Sequence, residues 1–216
     1  MCIRDRNINT LALSDGSGIA TNYTLTNGTL TMTIVPRSTT VSGTKTYDGT
    51  TNVASSNLTS FSNLAGSDTL SLSGTGTISS ADVGTGKTVN TSGLTIDNSS
   101  GVGSNYTLSA ATVNVTERVI GLSGVRAFDG TNNASSTDLS ISNLVSGENL
   151  TLSGSGTVPN ATVEMNKAIS LGSLSISDGS GGKSSNYTLT GGSHTLDISQ
   201  LSVNVTGSRQ YDGTKL

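Results

Sequence analysis

The chain repeats itself, and this constrains its fold more than any other feature. The tetrapeptide NYTL occurs at residues 22–25, 105–108 and 186–189, and an aromatic-Asp-Gly-Thr motif at 47–50, 128–131 and 211–214. NLAGSDTLSLSGTGT (63–77) matches NLVSGENLTLSGSGT (143–157), and ADVGTGKTVNTSGLTI (81–96) matches ATVEMNKAISLGSLSI (161–176). All these spacings fall between 80 and 83 residues. Agreement between separated landmarks defines a unit of about 81 residues. Two whole copies span residues 37–117 and 118–199. Residues 7–36 read as the C-terminal part of an earlier copy, and residues 200–216 as the start of a later one. Residues 1–6, MCIRDR, match nothing that follows and read as a non-native, adaptor-like leader.

Composition limits what the unit can become. Ser (37), Thr (34), Asn (19) and Gly (27) make up just over half of the 216 residues. Strong helix formers are scarce, so the expected fold is all-β. Period-two alternation marks short strands such as TLSLS (69–73) and VNVT (113–116), punctuated by Gly, Asn, Asp and Ser clusters. Six or seven strands per copy suit tandem small β-sandwich (Ig-like) modules in an elongated array. β-grasp-like modules and a right-handed parallel β-helix are the alternatives; no clean period of 20–25 residues favours the last. Residues 79–87 offer one helical turn at most, with Ser80 as its cap.

The recurring residues read first as structural anchors. In the turn, Asp48 and Asp129 can bond the backbone two residues on, and Gly49 and Gly130 can take a positive φ. Tyr47, Phe128 and Tyr211 precede that turn, and Tyr23, Tyr106 and Tyr187 sit in NYTL; all six are expected in the core. Asn105 and Asn186 suit a turn before a strand. With Phe61 matched by Ile141, no aromatic is left for a sugar-stacking platform. The matched charges Lys45, Arg126 and Arg209, Lys87 and Lys167, and Asp68 and Glu148 read as a solvated face with weak surface pairs, or as charges that register neighbouring modules.

Chemistry-bearing residues are few. One Cys, Cys2, and one His, His194, give neither an internal disulfide nor a zinc site. His194 has no counterpart in the first fragment, so a Ser–His site is not expected. Asp15, Asp97 and Asp178 each stand alone in their loops, whereas calcium loops need several closely spaced oxygen ligands. The reading is of a non-enzyme with no catalytic, metal or cofactor-binding residues. Nucleic-acid binding is not expected from a net charge of −3, nor membrane insertion without an apolar run of about 18 residues.

KTYDGTTNVASS, LSGTGTISSADVGTGKTV and SNYTLSAATVNVT, in that order, resemble the YDG-type repeat domain of very large bacterial surface proteins, including filamentous-haemagglutinin-like adhesins. The likeness covers residues 7–216. It departs in the second copy, where Phe128 replaces Tyr and Gly84 and Gly86 become Glu164 and Asn166, so that loop is expected to differ in shape. The resemblance implies secretion to the bacterial cell surface, associated with the outer membrane, and a place in a stalk or adhesive array. It names no binding residues. The expected partners are neighbouring repeats of the same polypeptide. The alternatives are repeats that bind a host or bacterial surface ligand weakly with avidity and, more remotely, a polysaccharide-binding accessory module. TERVIGLSG (116–124) holds no Pro/Gly-rich hinge, which favours a stiff connection between the copies.

Overall fold

The computed structural model describes residue 14, residues 17–23 and residues 33–213. The leader at residues 1–6, Asp15 and most of residues 7–36 lie outside these. The chain forms two units, residues 1–35 and 36–216. In the first, a 3-10 turn at Ala20–Asn22 leads into Tyr23. The same turn precedes Tyr106 at Gly103–Asn105 and Tyr187 at Ser184–Asn186. The tyrosine φ angles are −131°, −129° and −132°, so one local structure is written three times.

The second unit holds both whole repeats. The first contains β1 (Arg37–Thr46), β2 (Asn52–Ala54), β3 (Leu58–Ser62), β4 (Leu70–Thr77), β5 (Gly84–Val89), β6 (Leu94–Asn98) and β7 (Tyr106–Thr116). Its main sheet has the order β3-β1-β7-β5, and a smaller sheet the order β2-β4-β6. β1 and β7 pair in parallel at the centre, while the flanking pairs are antiparallel. The second repeat copies this with β8 (Arg118–Val119), β9 (Gly121–Ala127), β10 (Asn133–Ser135), β11 (Leu139–Ser142), β12 (Leu150–Ser153), β13 (Ser155–Thr157), β14 (Glu164–Ala168), β15 (Ser175–Asp178), β16 (Tyr187–Thr188) and β17 (His194–Ser199). Its main sheet, β11-β9-β17-β14, has the same order and a parallel centre.

The all-β reading therefore holds, with several sheets and no helix beyond single 3-10 turns among the described residues. The parallel centre is a feature of the β-grasp alternative; an Ig-like sandwich is antiparallel throughout. The single helical turn that residues 79–87 could at most have offered does not form. Ser80 Oγ instead accepts from the Asp82 N–H at 3.2 Å, and β5 starts at Gly84.

Period two explains the core. Along β1 the inward positions Thr39, Val41 and Lys45 are buried while their neighbours face out. Val41, Val53, Leu58, Ile78, Val89, Val113 and Val115 pack in the first repeat. Leu122, Ala134, Val158, Ile169, Leu196 and Ile198 do so in the second, at matching positions. One hydrophobic cluster includes residues of both copies.

The copies differ where the second has two extra residues. β7 runs unbroken for 11 residues, with one register shift opposite Thr39/Thr40. In the second repeat the same place widens into a turn between β16 and β17, with Gly191 at φ 82° and the Leu189 carbonyl 2.8 Å from His194 Nε2. By contrast, the loop expected to change shape keeps it. Gly86 (φ 61°) and Asn166 (φ 56°) are both left-handed, a region that Asn tolerates better than most residues. Each backbone N–H at that bulge is held by a matching side chain, Asn114 at 2.7 Å and Asp197 at 2.6 Å.

Candidate functional site

The repeated DGT turn is built as its residue types require. Thr50 N–H donates to Asp48 Oδ1 at 2.9 Å, and Thr131 N–H to Asp129 Oδ1 at 2.9 Å. Gly49, Gly130 and Gly213 have φ of 76°, 78° and 81°. The basic residue two before the aromatic closes the turn. Lys45 Nζ donates to the Thr50 carbonyl at 2.8 Å and pairs with Asp48 at 2.8 Å. Arg126 Nη2 donates to the Thr131 carbonyl at 2.8 Å, and Arg126 pairs with Asp129. Arg209 pairs with Asp212 at 2.7 Å.

This corrects the solvated-face reading for several of these charges. Lys45 and Lys167 are 4% and 5% exposed. Alternation puts Lys45 on the inward face with Val41, and its ammonium satisfies carbonyls that the turn leaves unpaired. Lys167 Nζ reaches Asn160 Oδ1 and Glu164 Oε2, each at 2.7 Å. Lys87 reaches the Ser80 carbonyl at 2.9 Å. A further glycine belongs to the motif: Gly43, Gly124 and Gly207 stand four residues before the aromatic. A Cβ at Gly43 would lie 1.7 Å from the Asn57 carbonyl oxygen, and at Gly124 1.9 Å from that of Asp138. The spacing was visible in the sequence; its cause, a 3-10 turn crossing over β1, was not.

The expected aromatic anchors separate in the structure. Tyr47, Tyr106 and Tyr187 are buried. Phe128 is 39% exposed, Tyr23 67% and Tyr211 87%, so these three are not core residues among the described contacts. Asn186 is buried, whereas Asn105 is exposed. The junction between the repeats accounts for the differences at Tyr47 and Asn186.

Only Glu117 separates β7 from β8. Beside this passage two groups of side chains meet across the boundary. Tyr47 and Tyr187 pack edge to face, with ring centroids 5.4 Å apart. Tyr47 Oη donates to Glu148 Oε1 at 2.5 Å, and Tyr187 Oη to Glu148 Oε2 at 2.7 Å. The Val145 N–H donates to Tyr187 Oη at 3.1 Å. Burial, then the bond to Glu148, raises the Tyr47 phenol well above its ordinary value. In the second group, Asn186 Oδ1 accepts from the Val83 N–H at 2.9 Å and its Nδ2 donates to Asp82 Oδ1 at 2.9 Å. Lys183 Nζ pairs with Asp82 Oδ2 at 2.7 Å. The bonds from Lys183 and then Asn186 hold the Asp82 carboxyl down to about 2.

Gly49 completes the contact. A Cβ there would lie 2.7 Å from Val145 Cγ1, while one at Gly130 would meet nothing within 4 Å. Glu148, read from sequence only as one of a pair with Asp68, is the central acceptor. Asp68 takes the equivalent Tyr106 hydroxyl at 2.6 Å within its own repeat. Nothing in the sequence separated Glu148 from Asp68, because the extra donor comes from 101 residues away.

The acidic loops hold protein groups. Asp178 Oδ1 accepts from the Ser184 N–H and hydroxyl, both at 2.7 Å, which keeps its carboxyl below the usual range. Asn98 Oδ1 does the same for the Gly103 N–H at 2.7 Å. Among the described residues no group of three or more His, Cys, Asp or Glu could hold a metal ion. The arrangement is suited to holding two repeats in a set relation.

One family model matches the chain, that of the YDG domain, at residues 29–114 and again at 116–196. No curated protein and no solved structure matches it.

Proposed function

The chain belongs to the YDG domain family, and from that premise we propose that it is a structural repeat segment, a stalk or spacer, of a large secreted bacterial cell-surface adhesin. The observation that supports this most is the junction. Tyr47, Asp82, Glu148, Asn186 and Tyr187 join one repeat to the next through buried and ion-paired groups. Units that dock in this way, each mainly on its neighbours, gain reach with copy number. Surfaces of Ser, Thr and Asn stay hydrated between the junctions. The chain is a non-enzyme in this reading, and its partners are neighbouring repeats of the same polypeptide. Any host-binding or cell-binding site would lie in other parts of the parent protein.

Small-angle scattering of the full chain tests the spacer directly. The expected pair-distance distribution has the long tail of repeats arranged end to end, with no binding on glycan or matrix-protein arrays. A compact, globular envelope would contradict the spacer.

A further inference from the structure

In each repeat the strand by which the chain enters is paired with the strand by which it leaves. β1 opens the first repeat and β7 closes it, and the two run in parallel over ten residue pairs, from Arg37↔Tyr106 to Thr46↔Thr116. The Tyr47 N–H carries the ladder one step further by donating to the Thr116 carbonyl at 2.9 Å. The second repeat has the same plan. There β8 pairs with β16 in parallel over two residue pairs, and β9 with β17 over six, ending at Ser199↔Ala127. The Phe128 N–H donates to the Ser199 carbonyl at 2.9 Å, as Tyr47 does to Thr116.

Parallel pairing fixes where the chain joins the ladder. The entering strand is attached at Arg37 and the leaving strand at Thr116, at the opposite end. At about 3.3 Å per residue these points stand roughly 30 Å apart along the strands. Tension on the backbone at either side of the repeat therefore runs along the ladder and loads all its bonds together. Antiparallel first and last strands would be attached at the same end, and their bonds would open one at a time. Water has poor access to the bonds. β3 and β5 flank the pair on both sides, and Val41, Val113 and Val115 bury one of its faces. Tension leaving β7 passes almost directly into the next ladder, since only Glu117 lies before β8.

We propose that the paired terminal strands, β1 with β7 and β8–β9 with β16–β17, are a shear clamp that keeps each repeat folded under tension along the chain. The proposal rests on the stalk reading for the source of that tension, and on strand topology for the clamp itself. The two clamps are unequal. β7 is one unbroken strand, whereas the second ladder is interrupted between Thr188 and His194, where the chain turns through Gly191 at φ 82°. The second repeat is therefore the first to give way.

Forced unfolding is governed by the barrier to opening, which single-molecule pulling reads directly. Handles are attached to the full chain through engineered thiols, with Cys2→Ser removing the native one. Ser38→Cys with Thr116→Cys loads the first ladder in shear. Ser38→Cys with Thr107→Cys pulls the same ladder open from one end, because Ser38 and Thr107 are paired. These positions are exposed, and equal denaturation midpoints check that both variants keep the fold. The opening force is expected to be several-fold higher in shear. Equal forces in the two directions overturn the clamp. Ser38→Cys with Ser199→Cys spans both repeats and should give two steps. The upper is expected at the force of the first repeat in shear, and the lower between that and the force of the transverse pull. A step at or below the transverse force also overturns the clamp. A chain that is long in scattering but weak in shear loses the clamp and keeps the spacer; a compact chain that resists shear does the reverse.

Discussion

Tyr47 and Phe128 hold the same position in successive repeats and have opposite surroundings. Tyr47 is covered by Tyr187 and bonded to Glu148, while Phe128 is open. Tyr47→Phe should therefore destabilise the chain, because the buried phenol bonds a carboxylate. The expected loss is about 1.5–3 kcal/mol in chemical denaturation, typical of a hydrogen bond to a charged group. The reverse change, Phe128→Tyr, should leave stability within about 0.5 kcal/mol, as surface changes usually do. Asp82 adds a pH dependence. Its carboxyl is held at about 2, below its ordinary 3.8. A depressed carboxyl stabilises above its unfolded value, and that stability is lost as pH falls through the folded value. Denaturation midpoints should fall between about pH 4 and pH 2, and less steeply in Asp82→Asn. A variant that keeps the full slope would show that another carboxylate carries it.

At the scale of the element, the turn and the strand before it form one device. Lys45→Met should cost about 1–3 kcal/mol, because the carbonyls of Thr50 and Asn52 lose the charged donor that the buried Lys45 side chain brings to them. Lys45→Arg should recover much of this, since Arg126 closes the same turn in the second repeat. Gly43→Ala and Gly124→Ala should both be severely destabilising, because each Cβ would strike a backbone carbonyl oxygen. Gly49→Ala should cost more than Gly130→Ala. Both strain a left-handed residue by about 1–2 kcal/mol, and only the first also presses on Val145. Much of this was legible in advance. The Asp and Gly of the turn behave as their types dictate, and period two places Val41, Val113 and Val115 inside. The same alternation placed Lys45 inside too, but its charge suggested the surface. What overrode that was a local supply of unpaired carbonyls, which no residue pattern announces. The parallel pairing of first and last strands was equally hidden, since it joins segments some 70 residues apart.

At the scale of the whole molecule, the period of about 81 residues foretold repeated units and their strand positions. It did not foretell how the units meet, because matched residues such as Asp68 and Glu148 differ only in what lies across the boundary. The central claim is that residues 37–116 and 118–199 are held as one body by the Tyr47–Glu148–Tyr187 and Asp82–Asn186–Lys183 contacts. Residual dipolar couplings of the full chain in a weakly aligning medium test this most directly. The account predicts that a single alignment tensor fits the amides of both repeats. Two tensors of different magnitude or orientation, one for each repeat, would contradict it.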